Sequence, residues 1–97
     1  MEILVGNKPV KNYLVYSLTA LSRDNTLVIK ARGRSISKAV DLAEILKRQS
    51  KGLKQGSIVI GTEVVHDKDK NRDVRVSTIE LTLTGQRTNT EISNNIT

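Results

Sequence analysis

Val28-Ile29-Lys30-Ala31-Arg32-Gly33-Arg34-Ser35-Ile36-Ser37-Lys38-Ala39-Val40-Asp41 changes its hydrophobic period in the middle. Upstream, residues 26–31 are apolar nearly throughout, the composition of a strand in the interior of a sheet. Downstream, Ile36, Ala39, Val40, Ala43 and Leu46 recur at helical spacing. Leu42 and Ile45 widen that face, so the helix wants two partners, its own sheet and a further surface. Between them Arg32-Gly33-Arg34 reads as a basic loop, and Ser35 or Ser37 can cap the helix. The stretch is therefore strand, basic loop, helix.

The same logic extends outward. Residues 2–5 form a short strand ending at Gly6, and Pro9 suits the first position of a helix because it has no N–H to leave unpaired. Val10, Leu14, Ser17 or Leu18, and Leu21 carry that helix to about residue 22, before the Asp24-Asn25 turn. Beyond the central stretch, residues 50–56 form a polar loop with two glycines, Gly52 and Gly56. Residues 57–65 and 74–84 read as a long hairpin with a charged tip. In its second strand Ile79, Leu81 and Leu83 face one way, and Thr78, Glu80 and Thr82 the other. The order β-α-β-α-β-β predicts an α/β two-layer sandwich, a mixed four-stranded sheet with two helices on one face and a long terminal β-hairpin. The βα units imply parallel pairings through right-handed crossovers. Residues 1–84 are one domain, and residues 85–97, rich in Thr and Asn, read as a disordered tail.

Composition narrows the function. The 97 residues carry a net charge of +6, which favours a polyanionic partner. The absence of cysteine excludes disulfides, thiol catalysis and Cys-ligated zinc. The apolar run after Glu2 is too short for a signal peptide, and no stretch reaches membrane-helix length. With two Tyr and no Phe or Trp, stacking platforms for single strands are scarce, so duplex recognition through backbone and shape fits better.

Lys30, Arg32 and Arg34 put three cations within five residues. Alternation in an extended segment lets them share a face. Gly33 permits close approach of a phosphate, and the following helix N-terminus adds free N–H groups. Lys8 and Lys11 flank the start of the first helix, where cations oppose the dipole unless an anion sits there. Tyr13 can offer its hydroxyl to phosphate, whereas Tyr16 reads as structural. Lys68, Lys70 and Arg72 make the hairpin tip a cationic arm. The acids at positions 67, 69 and 73 do not make a calcium loop, because Arg72 stands where glycine is required and Thr78 where the bidentate glutamate belongs. His66 has no catalytic neighbours, no enzyme motif appears, and no cofactor is expected.

Three segments resemble the Alba family of archaeal chromatin proteins: residues 5–13, the central stretch 28–41, and Arg75-Val76-Ser77-Thr78-Ile79-Glu80. The resemblance implies a homodimer, or a heterodimer with a paralogue, that binds double-stranded DNA and RNA, with chromosome association in the cytoplasm and no membrane. It implies a basic floor from the two pre-helix loops, with Asn7, Lys8, Lys11, Tyr13, Lys30, Arg32, Gly33 and Arg34, and arms bearing Lys68, Lys70, Arg72 and Arg75. A subunit role in an RNase P-type complex is the alternative. Leu42, Ile45, Ile58, Ile60, Ile79 and Leu81 are the expected dimer interface. Two departures stand out. Asn7 replaces a lysine that many members have, which puts acetylation there in doubt. Ser50 falls where many have a phenylalanine that packs between neighbouring dimers.

Overall fold

The computed structural model describes residues 1–85; most of the expected tail lies outside the described residues. The elements are β1 (Glu2–Leu4), α1 (Val10–Arg23), β2 (Thr26–Arg32), a short 3-10 turn (Gly33–Ser35), α2 (Ile36–Gln49), β3 (Lys54–Asp67) and β4 (Arg72–Thr84). The sheet order is β1-β2-β4-β3. The expected mixed sheet with two helices is present.

Alternation decides which face is covered. Leu27, Ile29 and Ala31 of β2 are buried, and register pairs them with Leu83, Leu81 and Ile79 of β4. With Ala39, Leu42, Ala43 and Leu46 of α2 and Tyr13 and Ala20 of α1 they form the core. Burying each large aliphatic contributes about 1.5–3 kcal/mol. Ser17 is also fully buried on α1, and its hydroxyl donates to the Tyr13 carbonyl at 2.7 Å, so no polar group is orphaned. Leu18, its alternative at this spacing, is exposed.

Only one of the expected parallel pairings forms, between β1 and β2, with Ile3 opposite Ile29. The second βαβ unit closes without one, because β4 inserts antiparallel between β2 and β3. Physically, β4 has the cleaner inward row for a central position. The ladder to β3 breaks register between Gln55 and Ile58, around Gly56, and such irregularity suits an edge. Beyond that break Lys54 and Gln55 pair again, with Thr84 and Leu83, so the strand begins at Lys54, in what the glycines mark as loop.

Three boundaries differ from expectation. Pro9 sits one residue before α1, with an extended ψ of 150°, and its carbonyl accepts from Asn12 N–H, so it is the N-cap. Ser35 makes no side-chain cap bond and Ser37 lies inside α2, because the chain enters α2 through the 3-10 turn, with Gly33 at φ +59°. At the hairpin tip, the Asp67 carboxylate accepts from the N–H groups of Asp69 and Lys70, which shortens the turn to four residues between Asp67 and Arg72.

The proposed dimer residues divide. Leu42 is 0% and Leu81 4% exposed, both inside this chain's own core, so they present no surface to another chain. Ile45 and Ile79 are half-buried, and Ile79 packs against the core. Ile58 and Ile60 are open, Ile60 at 76%, with Val40 of α2 and Val64 of β3 also exposed.

Candidate nucleic-acid interface

The loop that precedes α1 is fastened by two side chains, one from each helix. The Tyr13 hydroxyl accepts from Gly6 N–H at 2.9 Å and from Lys8 N–H at 3.2 Å. From the other side, Lys38 in the first turn of α2 donates its Nζ to the Gly6 carbonyl at 3.1 Å and to the Lys8 carbonyl at 2.7 Å. The segment Gly6-Asn7-Lys8 is thus held by both helices, with Asn7 and Lys8 exposed.

This arrangement revises the roles of both tyrosines. Tyr13 is 7% exposed and its oxygen is occupied by the loop, so it shapes the loop from within. Tyr16, expected to be structural, is 57% exposed. Lys38 is absent from the sequence-predicted set. Its signal was available, since a cation in a first helical turn opposes the dipole just as Lys8 and Lys11 do.

The nominated cations fall into two groups. Lys30 lies between Glu2 at 3.2 Å and Glu80 at 3.8 Å, on the sheet face away from the helices. Arg32 holds Glu63 of β3 at 3.0 Å on the same face. All three ion pairs are exposed and individually weak. Lys8, Lys11, Arg34, Lys68, Lys70, Arg72 and Arg75 have no carboxylate partner among the described residues. Arg34 is exposed in the 3-10 turn beside Gly33, whose positive φ and the Val76 methyl 3.4 Å from its would-be Cβ both disfavour a side chain. Arg75 stands opposite Val64 partway along the hairpin, whose tip carries Lys68 and Lys70. The hairpin gives the molecule its 63 × 23 × 19 Å extents.

Fold and site together define a small two-layer α/β module with a clamped basic loop between its helices and a cationic hairpin arm. The pattern of the family described as Alba matches residues 1–60, and the chain belongs to the Alba family. It is 38% identical over 84 residues to the DNA/RNA-binding protein Alba of Methanococcus maripaludis, covering 84% of this chain and 93% of that one. It is 41% identical over 81 residues to the DNA/RNA-binding protein Alba of Nitrosopumilus maritimus, covering 81% and 84%. Among solved structures, Alba from Thermoplasma volcanium superposes with a TM-score of 0.77 at 38% identity, over 87% of this chain and 99% of that one. ALBA1 from Trypanosoma brucei gives 0.71 at 17% identity, over 98% and 85%, a likeness of fold alone. No helix among the described residues is long and apolar enough to cross a membrane.

Proposed function

We propose that this chain is a non-enzymatic, largely sequence-neutral binder of duplex nucleic acid, acting on the chromosome as a dimer through residues 1–84. The observation that carries this reading is the fastening of the first basic loop to the start of α2. Lys38 and Tyr13 hold Gly6-Asn7-Lys8 there, and Lys8, Lys11 and Arg34 have no carboxylate partner among the described residues, which suits a phosphate-binding floor. Such a surface contacts phosphates and reads no bases. The Lys68, Lys70, Arg72 and Arg75 arm extends the footprint along the groove or backbone. Two copies carry twice the +6 of one chain, enough to compact DNA. The relatives named as DNA/RNA-binding support both ligands.

The test is a binding titration against duplex DNA and structured RNA over a range of salt. Affinity should fall with salt at a slope of about −0.9 per phosphate neutralised on duplex DNA. A salt-insensitive affinity overturns the reading. A decisive preference for structured RNA at equal salt moves the chain to the RNA-processing role.

A further inference from the structure

A groove of about 700 Å³ runs between β1 and α1 and shares only Lys8 with the proposed floor. Ile3 and Leu4 form one wall, and Val15 and Tyr16 the other. Lys8 lies at the end nearest the clamped loop and Arg23 at the far end of α1. Both cations lack a carboxylate partner among the described residues. The nearby acids are engaged elsewhere: Glu2 with Lys30 at 3.2 Å, and Asp24 with the terminal amino group at 3.3 Å. Among the described residues β1 has β2 as its only strand neighbour, so its outer edge offers unpaired backbone donors and acceptors along the groove.

We propose that this groove takes an unpaired segment of nucleic acid, with a base stacked on Tyr16 and flanking phosphates on Lys8 and Arg23. The proposal rests on the nucleic-acid reading above and adds to it a second mode, single-strand binding beside the duplex floor. The chemistry favours this occupant over a second copy of the chain. A copy brings net +6 to a groove already lined by cations, whereas a single strand brings an aromatic face and negative charge together. The 14-residue α1 spans about 21 Å, room for several nucleotides. One exposed ring accepts any base, so the mode carries no sequence preference.

The chain reports on itself. It has two tyrosines and no tryptophan, and Tyr13 is buried with its hydroxyl bonded to the loop. Tyr13 also lines the groove, so quenching by oligouridylate is assigned to Tyr16 by its loss in Tyr16→Ala. The experiment titrates oligouridylate and blunt duplex DNA into the full chain and its Tyr16→Ala and Tyr16→Phe variants, with circular dichroism to verify folding. The expected result is quenching by oligouridylate and a roughly five- to hundredfold loss of single-strand affinity in Tyr16→Ala. Tyr16→Phe retains single-strand affinity, and duplex affinity stays within about twofold in both variants. Undiminished single-strand binding by Tyr16→Ala overturns the proposal, as does an equal loss on duplex. Altered self-association with intact single-strand binding assigns the groove to a second copy and overturns it too. A wild-type chain that binds no duplex in a salt-dependent way removes the nucleic-acid reading itself. Intact duplex binding without a Tyr16 effect removes only the groove.

Discussion

Lys38→Met keeps the stem of the side chain and deletes the charge that ties Gly6 and Lys8 carbonyls to α2. We expect about 1 kcal/mol less stability and a roughly two- to tenfold weaker duplex affinity from a loop no longer pre-ordered. The salt slope should hold, because the Lys38 ammonium is committed to the two loop carbonyls. In a double-mutant cycle, Lys8→Ala should cost less in the Lys38→Met background than alone. Additive losses with a flatter slope would make Lys38 a direct phosphate contact. The tyrosines mark the limit of what spacing can tell at this scale. Both lie on α1, three residues apart, and helical period alone leaves open which flank faces the core. Tyr13 is drawn inward because its hydroxyl completes two backbone N–H groups of a loop far from α2 in sequence. Such a bond between a helix and the preceding loop has no signature in local composition.

At the scale of elements, the end of β2 and the turn after it differ in what their cations face. Lys30 sits between two carboxylates while Arg34 has none among the described residues. Arg34→Ala should flatten the salt dependence of duplex binding by about one unit per chain. Lys30→Ala should leave the slope in place and weaken affinity through the freed charges of Glu2 and Glu80. Equal flattening by both would mean that Lys30 exchanges its carboxylates for phosphate. The apolar stripe of β3 gives a second contrast. Ile60→Asp, on an exposed position, should yield a folded monomer by sedimentation and circular dichroism, whereas Leu42→Asp buries an unpaired charge and should unfold the chain. A folded dimer of Ile60→Asp would place the interface elsewhere. The helices and the hairpin were legible because α2 and β4 have unbroken apolar periods. The pairing of β2 with β4 was not, since two βα units in succession suggest parallel neighbours and nothing local announces that a later strand will insert.

For the whole molecule, the proposed packing along a duplex depends on what one copy of the proposed dimer presents to the next. Ser50 offers almost no apolar area, and Lys47, Arg48, Lys51 and Lys54 surround it in sequence with like charge. Lys47 is partly neutralised by Glu44 at 2.6 Å, whose carboxyl is held below its ordinary pKa by the hydrogen bond from Lys47 and then by its charge. We expect weakly cooperative, well-spaced binding on long duplex DNA, read by gel shift or single-molecule titration. Close-packed tracts beside naked DNA would show that another surface joins neighbours.

The insertion of β4 also bears on how the chain is made. As residues emerge from the ribosome, β1, α1, β2 and α2 come first, and β2 then has one ladder to β1 and a bare edge on its other side. β3 follows, yet its native place is not on that edge. The strand that fills it, Arg72–Thr84, emerges after every other described element. Until it arrives, Leu27 and Ile29 lack Leu83 and Leu81 beside them, and β3 has no native neighbour among the described strands. Closure of the sheet is therefore a late, long-range event, the kind that slows folding and leaves strand edges open to wrong pairing in the meantime. Nascent chains halted before residue 72 should be captured by holdase chaperones, and release should coincide with emergence of the final strand.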